Sequence, residues 1–513
     1  MKLIKAMATV AGMTGLSRIA GFVRDMLTAG VLGTGPAADA FFVALKLPNF
    51  FRRVTAEGAF SVSFVPLYAE VLTKEGEDEA TVFANNAFAL MLWGLTVFTI
   101  VAMVAMPLIV SLIAPGFRDD PQKFALAVEL TRITFPYLLL ISLTSLLGGV
   151  MNAHDKFAPF AVAPVLFNLS LIGFLLVADM FPTAGHALSW GVAIAGILQF
   201  LLLFVCSRRI GFRLKLKRPA ITPRIKRLFK LMGPGIFGAG VVHINLFADL
   251  IMASFLASGS ISYLYYADRL NQLPLSMVGI AVGTAMLPML SRALAAGRME
   301  EARNLFNRAL EVTLFLGIPS AVGLFFAAEP IIKVLFEHGA FTAEATGYTA
   351  AVLGCYAIGL PAYVAVKVYS SAFWSQQDTL TPVKISIVVT IGNILLALCL
   401  IQFMGVVGIA LATGLVGWIH IFMLHKKLKG HESLYFDERL KYVAPRMIFS
   451  SGLMAVVVSI VGLLLKDFFN DGTFHQILAL VALILAGVIT YGLAVTLTGA
   501  IKLHDIKKYF KRG

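Results

Sequence analysis

The chain runs through about fourteen successive apolar stretches of membrane-spanning length, from near residue 6 to near residue 500. A hydrocarbon crossing by a helix needs about 20 mostly apolar residues. Inside lipid every backbone N–H and C=O must find its partner within the protein, so only helices and closed barrels span. Stretches this long are helices, not strands. The expected fold is therefore an all-α polytopic membrane protein. Composition agrees, with 59% hydrophobic residues, 14% charged and a mean hydropathy of +0.86, where a soluble domain has about 25% charged residues. Several stretches contain proline, as broken or kinked helices do: Pro48 and Pro66, Pro136, Pro274 and Pro288, and Pro361.

The net charge of +14 could suggest nucleic acid. The placement of the cations argues otherwise. With the N-terminus in the cytoplasm and the sides alternating, 29 of the 42 Lys and Arg residues fall in cytoplasmic segments. The opposite side holds Arg118, Lys123, Lys333 and Lys466. That bias orients the chain with both termini inside, and it accounts for the charge without nucleic acid. The start, MKLIKAMATVAG, is basic and then apolar like a signal peptide. No small-residue cleavage site follows, and Arg18, Arg24 and Asp25 interrupt the apolar region. It reads as a retained first span. The largest basic cluster, 207–230, is either a loop facing anionic lipid or a dock for a cytoplasmic partner or a phosphorylated headgroup.

An internal repeat divides the chain. Phe64-Val65-Pro66-Leu67 resembles Met286-Leu287-Pro288-Met289, and Val31-Leu32-Gly33-Thr34-Gly35 resembles Phe255-Leu256-Ala257-Ser258-Gly259. Pro136 matches Pro361, Asp155 matches Asp378, Pro159 matches Pro382 and Asn168 matches Asn393. All six offsets lie between 222 and 225. Such an offset covers six helices, an even number, so the copies share one orientation. Parallel repeats of this kind are a transporter design, with substrate between the halves and alternating access by rocking. The expected organisation is a six-helix lobe at 1–206, a basic cytoplasmic linker at 207–225, a second six-helix lobe at 226–430, and two extra helices with a basic tail at 431–513.

Nine cations remain inside spans: Arg18, Arg24, Lys46, Arg52, Arg53, Arg132, Arg269, Arg308 and Lys367. A charge at mid-bilayer costs roughly 2.5–3.5 kcal/mol on insertion scales and usually faces a wet cavity or a partner. Arg308 reads as a snorkelling rim residue, and Arg132 as either a rim or a site residue. Asp39 and Lys46, seven apart, share a helix face, and Arg53 and Glu57 stand at i,i+4, so both pairs can be internal ion pairs. They leave an excess of cations over Asp25, Asp39 and Glu57 in spans 1 and 2. Arginine suits bidentate contact with phosphate oxygens. The chemistry implied is a hydrated site for a phosphate or pyrophosphate headgroup.

Asp249 and Asn393 also lie in apolar spans, as helix-packing contacts (Asp249 with His243 or Asn245) or as sites for a coupling ion. There is no Walker P-loop, HExxH or GxSxG motif. The three cysteines, Cys206, Cys355 and Cys399, have no metal-type spacing and read as buried thiols.

The segments SRIAGFVRD, ADAFFVALKLPNFFRR and AEGAFSVSFVPLYAE, with YLYYADRLNQLP, GIAVGTAMLPMLS and APGF, resemble the MurJ (MviN) lipid II flippases. The resemblance covers essentially the whole chain. It implies two MATE-like lobes plus two C-terminal helices, and an undecaprenyl-pyrophosphate-linked disaccharide-pentapeptide as the substrate. Arg18, Arg24, Asp39, Arg52, Arg53 and Glu57 match charged positions that the family needs, and Arg269 and Lys367 match second-lobe cations. Asp25 is implied in contact with the sugar-peptide, and the last two helices in a groove for the lipid tail. The implied partners are lipid II, membrane lipids, and cell-wall synthesis or division proteins, with a monomeric chain in the bacterial inner membrane. No cofactor is implied; Na+, H+ or the membrane potential would reset the carrier. The rivals are a flippase for another polyprenyl-pyrophosphate oligosaccharide, an ion-coupled drug antiporter of the same superfamily and a scaffold for wall-synthesis enzymes. A cationic drug calls for carboxylates, and a scaffold does not need in-span arginines.

Overall fold

The computed structural model describes residues 2–53, 60–216, 218–428 and 434–500, with side chains outside 2–7, 234–244, 277, 278 and 280–285. Among these residues every regular element is helical. In order they are α1 (Lys2–Leu32), α2 (Pro36–Phe51), α3 (Ser61–Glu75), α4 (Glu77–Val104), α5 (Met106–Ile113), α6 (Pro121–Thr134), α7 (Tyr137–Ala153), α8 (Ala158–Leu176) and α9 (Ala184–Arg209). Then follow α10 (Pro223–Ser254), α11 (Ser260–Ala295), α12 (Met299–Phe326), α13 (Ala328–Phe336), α14 (Ala343–Ser375), α15 (Leu380–Met404), α16 (Val406–Leu428), α17 (Glu438–Leu464) and α18 (Thr473–Leu497). If α2 with α3 and α6 with α7 count as broken spans, and α5 and α13 as short helices beside longer ones, the expected fourteen crossings are all here.

Among the described residues, ten helices are long and apolar enough to cross a membrane. The remaining crossings are α1, α2 with α3, α10 and α11. These are the segments that carry Arg18, Arg24, Asp25, Asp39, Lys46, Arg52, Arg53, Asp249 and Arg269. The other in-span cations, Arg132, Arg308 and Lys367, lie on α6, α12 and α14.

The repeat is visible in the helix ends. Glu77 and Met299 begin α4 and α12, Pro121 and Ala343 begin α6 and α14, and Ala158 and Leu380 begin α8 and α15, each pair 222 apart. The turn that follows α7 and α14 is the same in both copies. Asp155 (φ 58°) and Gln377 (φ 63°) are the non-glycine residues of left-handed conformation among those described. Each closes its helix with a six-residue bond, Lys156 N to Met151 O at 2.9 Å and Asp378 N to Phe373 O at 3.1 Å. Judged by that frame, Asp155 corresponds to Gln377, one residue short of the Asp378 match. The matches Pro136–Pro361 and Asn168–Asn393 stand three residues off, about one turn of helix.

The chain forms two compact units, Met1–Ser262 with Gly339–Phe341, and Tyr263–His338 with Thr342–Gly513. In the first, α10 packs against α3, α4 and α5. Its core is a stack of aromatic rings, Phe60, Phe64, Phe83 and Tyr68, closed by Leu146 and Leu203. The second unit has two cores. One joins α12, α14 and α16 around Phe306, Tyr369 and Leu424, and the other joins α17 and α18 around Met447, Leu483 and Tyr491. Backbones of α14 and α16 touch at Gly359 and Gly414, where an added Cβ on Gly359 would meet Gly414 Cα at 2.7 Å. Cys399 is exposed on α15, and Cys206 and Cys355 are half-buried, so the expectation of three buried thiols fails. An apolar face turned to lipid holds a thiol as readily as a core does.

The basic stretch after α9 is fastened to the first unit. Asn85 of α4 donates to Arg213 O and accepts from Lys215 N, and Asn86 donates to Ala220 O and accepts from Ala220 N. Each buried amide thereby satisfies two backbone groups of an extended chain. At the start of α10, Arg224 bridges Glu75 and Glu79, and Arg227 pairs with Glu70.

Candidate substrate site

Among the described residues of the first unit, two clusters hold buried charged side chains. The first is centred on Arg24 of α1. Its Nε and Nη2 donate to Asp25 Oδ1 at 3.2 and 2.6 Å, and its Nη1 donates to Asn168 Oδ1 of α8 at 2.9 Å. Asn168 Nδ2 in turn donates to Ser17 O at 2.9 Å. Gly21 makes room for this amide, since a Cβ there would lie 3.4 Å from Asn168 Nδ2. Arg24 and Asp25 are 6% and 5% exposed. A guanidinium so shielded needs this pairing. Asn168, which the sequence marked only as a repeat position, is thus the partner of Arg24 across helices.

The second cluster surrounds Asp39 in the first turn of α2. The carboxylate is 1% exposed and receives four donors. Oδ2 accepts from Lys123 Nζ at 2.9 Å and Gly259 N at 2.8 Å, while Oδ1 accepts from Ser262 N at 3.0 Å and Ser262 Oγ at 2.7 Å. Asp39 thus caps the N-terminus of α11, where a negative charge is favoured. The expected Asp39–Lys46 pair does not form, because Lys123 reaches the carboxylate from α6 and the start of α11 supplies the rest. Lys123, counted from sequence only among the cations of the outer side, is 6% exposed, with its ammonium 4.3 Å from the Phe117 ring. It was missed, yet a signal existed. Asp120 caps α6, which puts Lys123 in a first turn, where a cation opposes the helix dipole unless an anion compensates.

Other predicted residues are placed as follows. Arg18 and Arg53 are exposed, and Lys46 is half-buried. Arg52 is half-buried at the wide turn that ends α2, with Nε 3.2 Å from Asn49 Oδ1. Glu57, and with it the Arg53–Glu57 pair, lies outside the described residues. In the second unit Arg269 stacks on the Tyr265 ring at 4.7 Å and donates to its hydroxyl at 2.9 Å. Lys367 of α14 is exposed. Asn393 is buried and donates to Thr413 Oγ1 at 3.3 Å, a contact between α15 and α16. Asp249 lies 3.5 Å from Asn245 Nδ2 on the next turn of α10; the side chain of His243 is outside those described.

Two cations are accounted for structurally. Arg132 is exposed and its Nε donates to Met103 O near the end of α4 at 3.0 Å. Arg308 does not snorkel: it bridges Glu311 and Asp437, and Arg439 pairs with Glu311. Asp437 also caps α17 through Leu440 N, so this network anchors the added helices to α12. Among the described residues no group of three or more His, Cys, Asp and Glu could hold a metal ion.

Repeated helical halves, with charged side chains set inside spans, define a polytopic membrane protein of repeat architecture. The fold is shared with an inward-facing multidrug resistance MATE family transporter of the MOP superfamily, at a TM-score of 0.66 and 13% identity over 82% of this chain and 98% of that one. A solved lipid II flippase MurJ in an inward closed conformation aligns at a TM-score of 0.80 and 29% identity, covering 95% of this chain and 98% of that one. A probable lipid II flippase MurJ of Rhizobium meliloti is 41% identical over 465 residues, 89% of this chain and 86% of the relative. The family model described as lipid II flippase MurJ matches residues 28–491. The chain belongs to the lipid II flippase MurJ family.

Proposed function

We propose that this chain carries lipid II from the inner to the outer leaflet of the bacterial cytoplasmic membrane by alternating access, supplying precursor for cell-wall synthesis. The observation that carries the reading is family membership across 28–491 together with in-span cations gathered on α1 and α2. Arg18, Arg24 and Arg52 are the first-lobe residues proposed to grip the pyrophosphate, and Arg269 and Lys367 are the second-lobe cations proposed to bind it. Arg24 is the central contact, and its present bonds to Asp25 and Asn168 are those a pyrophosphate replaces. Asp25, once released, is left to meet the sugar-peptide. Lys46 and Arg53 add positive potential.

With both termini cytoplasmic, Asp39 and Lys123 lie at the outer ends of their helices. Their cluster is then a fastening at the outer side, undone when the headgroup leaves. The undecaprenyl tail stays in lipid. It is served by an apolar cavity of about 300 Å³ bounded by Pro274, Leu324, Met454, Val458, Leu483 and Gly487, on α11, α12, α17 and α18. Membrane potential, Na+ or H+ resets the carrier, with Asp249 and Asn393 as the residues an ion would use. The chain acts as a monomer, and cell-wall synthesis or division proteins are its candidate partners.

The test is depletion of this protein in a bacterium, read by a leaflet-specific assay for lipid II. Precursor is expected to accumulate on the inner face. Delivery to the outer face at the normal rate refutes the reading. Arg24→Ala and Arg269→Ala are each expected to abolish transport while insertion is retained.

A further inference from the structure

The first unit contains an apolar cavity of about 240 Å³ that the transport cycle above does not use. It is lined by Phe60, Met91, Gly94, Ile225, Leu228 and Phe229, among others, and Ser142 supplies the one polar side chain of its described lining. The α10 residues come from the first three turns of that helix, whose sequence alternates cavity-lining and cationic positions: Arg224, Ile225, Lys226, Arg227, Leu228, Phe229, Lys230.

The cations around it fall into two sets. Arg224 and Arg227 are engaged by Glu75, Glu79 and Glu70 and hold α10 against α3 and α4. Lys226, Lys230, Arg213 and Lys215 are exposed and have no ion pair among the described residues. The extended segment that carries Arg213 and Lys215 is fixed by Asn85 and Asn86, with Phe212 buried beneath. Leu216, Ile221, Phe229 and Leu231 stand exposed among these cations. Lysines interleaved with exposed apolar side chains, beside a cavity that admits alkyl groups, match the two ends of one kind of molecule.

We propose that this is a binding site for an anionic phospholipid of the cytoplasmic leaflet. One acyl chain enters the cavity between α3, α4, α7 and α10, and the phosphate lies against Lys226 and Lys230. The site is separate from the Arg24 cluster and does not depend on what the chain transports. Fixed lysines at a leaflet surface each contribute about fivefold to attraction of anionic lipid.

The full chain, in nanodiscs of phosphatidylcholine with or without phosphatidylglycerol, is assayed for bound lipid by native mass spectrometry after detergent exchange. Wild type is expected to retain phosphatidylglycerol over phosphatidylcholine. Lys226→Gln with Lys230→Gln is expected to reduce that preference roughly 25-fold. Gly94→Leu plugs the cavity from a position where an added Cβ meets nothing within 4 Å. It is expected to abolish retention of either lipid while the thermal unfolding midpoint is kept. The proposal is overturned if both variants retain phosphatidylglycerol as wild type does. It is equally overturned if the retained molecule is a polyprenyl phosphate, or if the lysine variant loses only a co-purifying protein.

Discussion

Lys123→Met tests whether the Asp39 cluster is held by charge pairing. The substitution keeps the length and apolar contacts of the side chain and removes the ammonium 2.9 Å from Asp39 Oδ2. Breaking one partner from a buried ion pair costs about 3–5 kcal/mol. Asp39 keeps three donors, Gly259 N, Ser262 N and Ser262 Oγ, at the N-terminus of α11, which returns up to about 2 kcal/mol. The net expectation is about 1–3 kcal/mol of lost closure, or roughly 5- to 140-fold in the opening equilibrium. Amide hydrogen exchange reads this directly, because Gly259 and Ser262 N–H are protected by the carboxylate itself. Both amides should exchange faster by that factor. The control is Asp39→Asn, in which the carboxylate charge is already gone, so adding Lys123→Met should cost under about 1 kcal/mol more. A change of less than threefold at both amides, or full additivity in the double variant, refutes charge pairing as the fastening.

Asp25→Asn removes the carboxylate that holds Nε and Nη2 of Arg24; transport should fall while affinity for a soluble pyrophosphate, measured by calorimetry, rises about tenfold. Unchanged affinity would mean that Arg24 does not meet the anion. Arg308→Met leaves Glu311 and Asp437 without their shared partner and should destabilise the seat of α17 by about 1–3 kcal/mol, seen as earlier proteolysis between α16 and α17. Gly359→Ala forces a methyl group against Gly414 Cα at 2.7 Å and should cost about 1–3 kcal/mol in thermal stability in detergent; a neutral result would mean that α14 and α16 can part freely.

The helical fold and the six-helix repeat were legible because both are written in local signals. Apolar length marks the spans, and the offset of about 222 recurs in motifs and in helix ends alike. The charged residues were legible as a set for the same reason: a charge inside an apolar run stands out. Their partners were not. Helical periodicity offers Lys46 to Asp39, because it knows only one helix at a time. The partners that form come from 84 residues away for Asp39, with Lys123, and 144 away for Arg24, with Asn168. Arg308 was misread for a related reason. Its position near a span end suggests water, but the start of α17 brings Asp437 over it.

The two clusters differ in what it takes to undo them, and that difference bears on the roles proposed for them. Arg24 is held by side chains alone, the Asp25 carboxylate and the Asn168 amide. A phosphate oxygen can replace either by rotamer change, one charge-assisted bond for another. Binding of this kind is an exchange, so it stays moderate in strength. A carrier needs that, because a site that held its anion equally tightly throughout the cycle would never release it. Asp39 is held partly by backbone N–H groups of Gly259 and Ser262. No rotamer frees it; α11 itself must move at its first turn. A carboxylate fastened to a helix start therefore reports and limits helix movement, while a guanidinium fastened to side chains is free to trade partners. That criterion favours the proposed roles, Arg24 in recognition of the substrate and Asp39 in the conformational step.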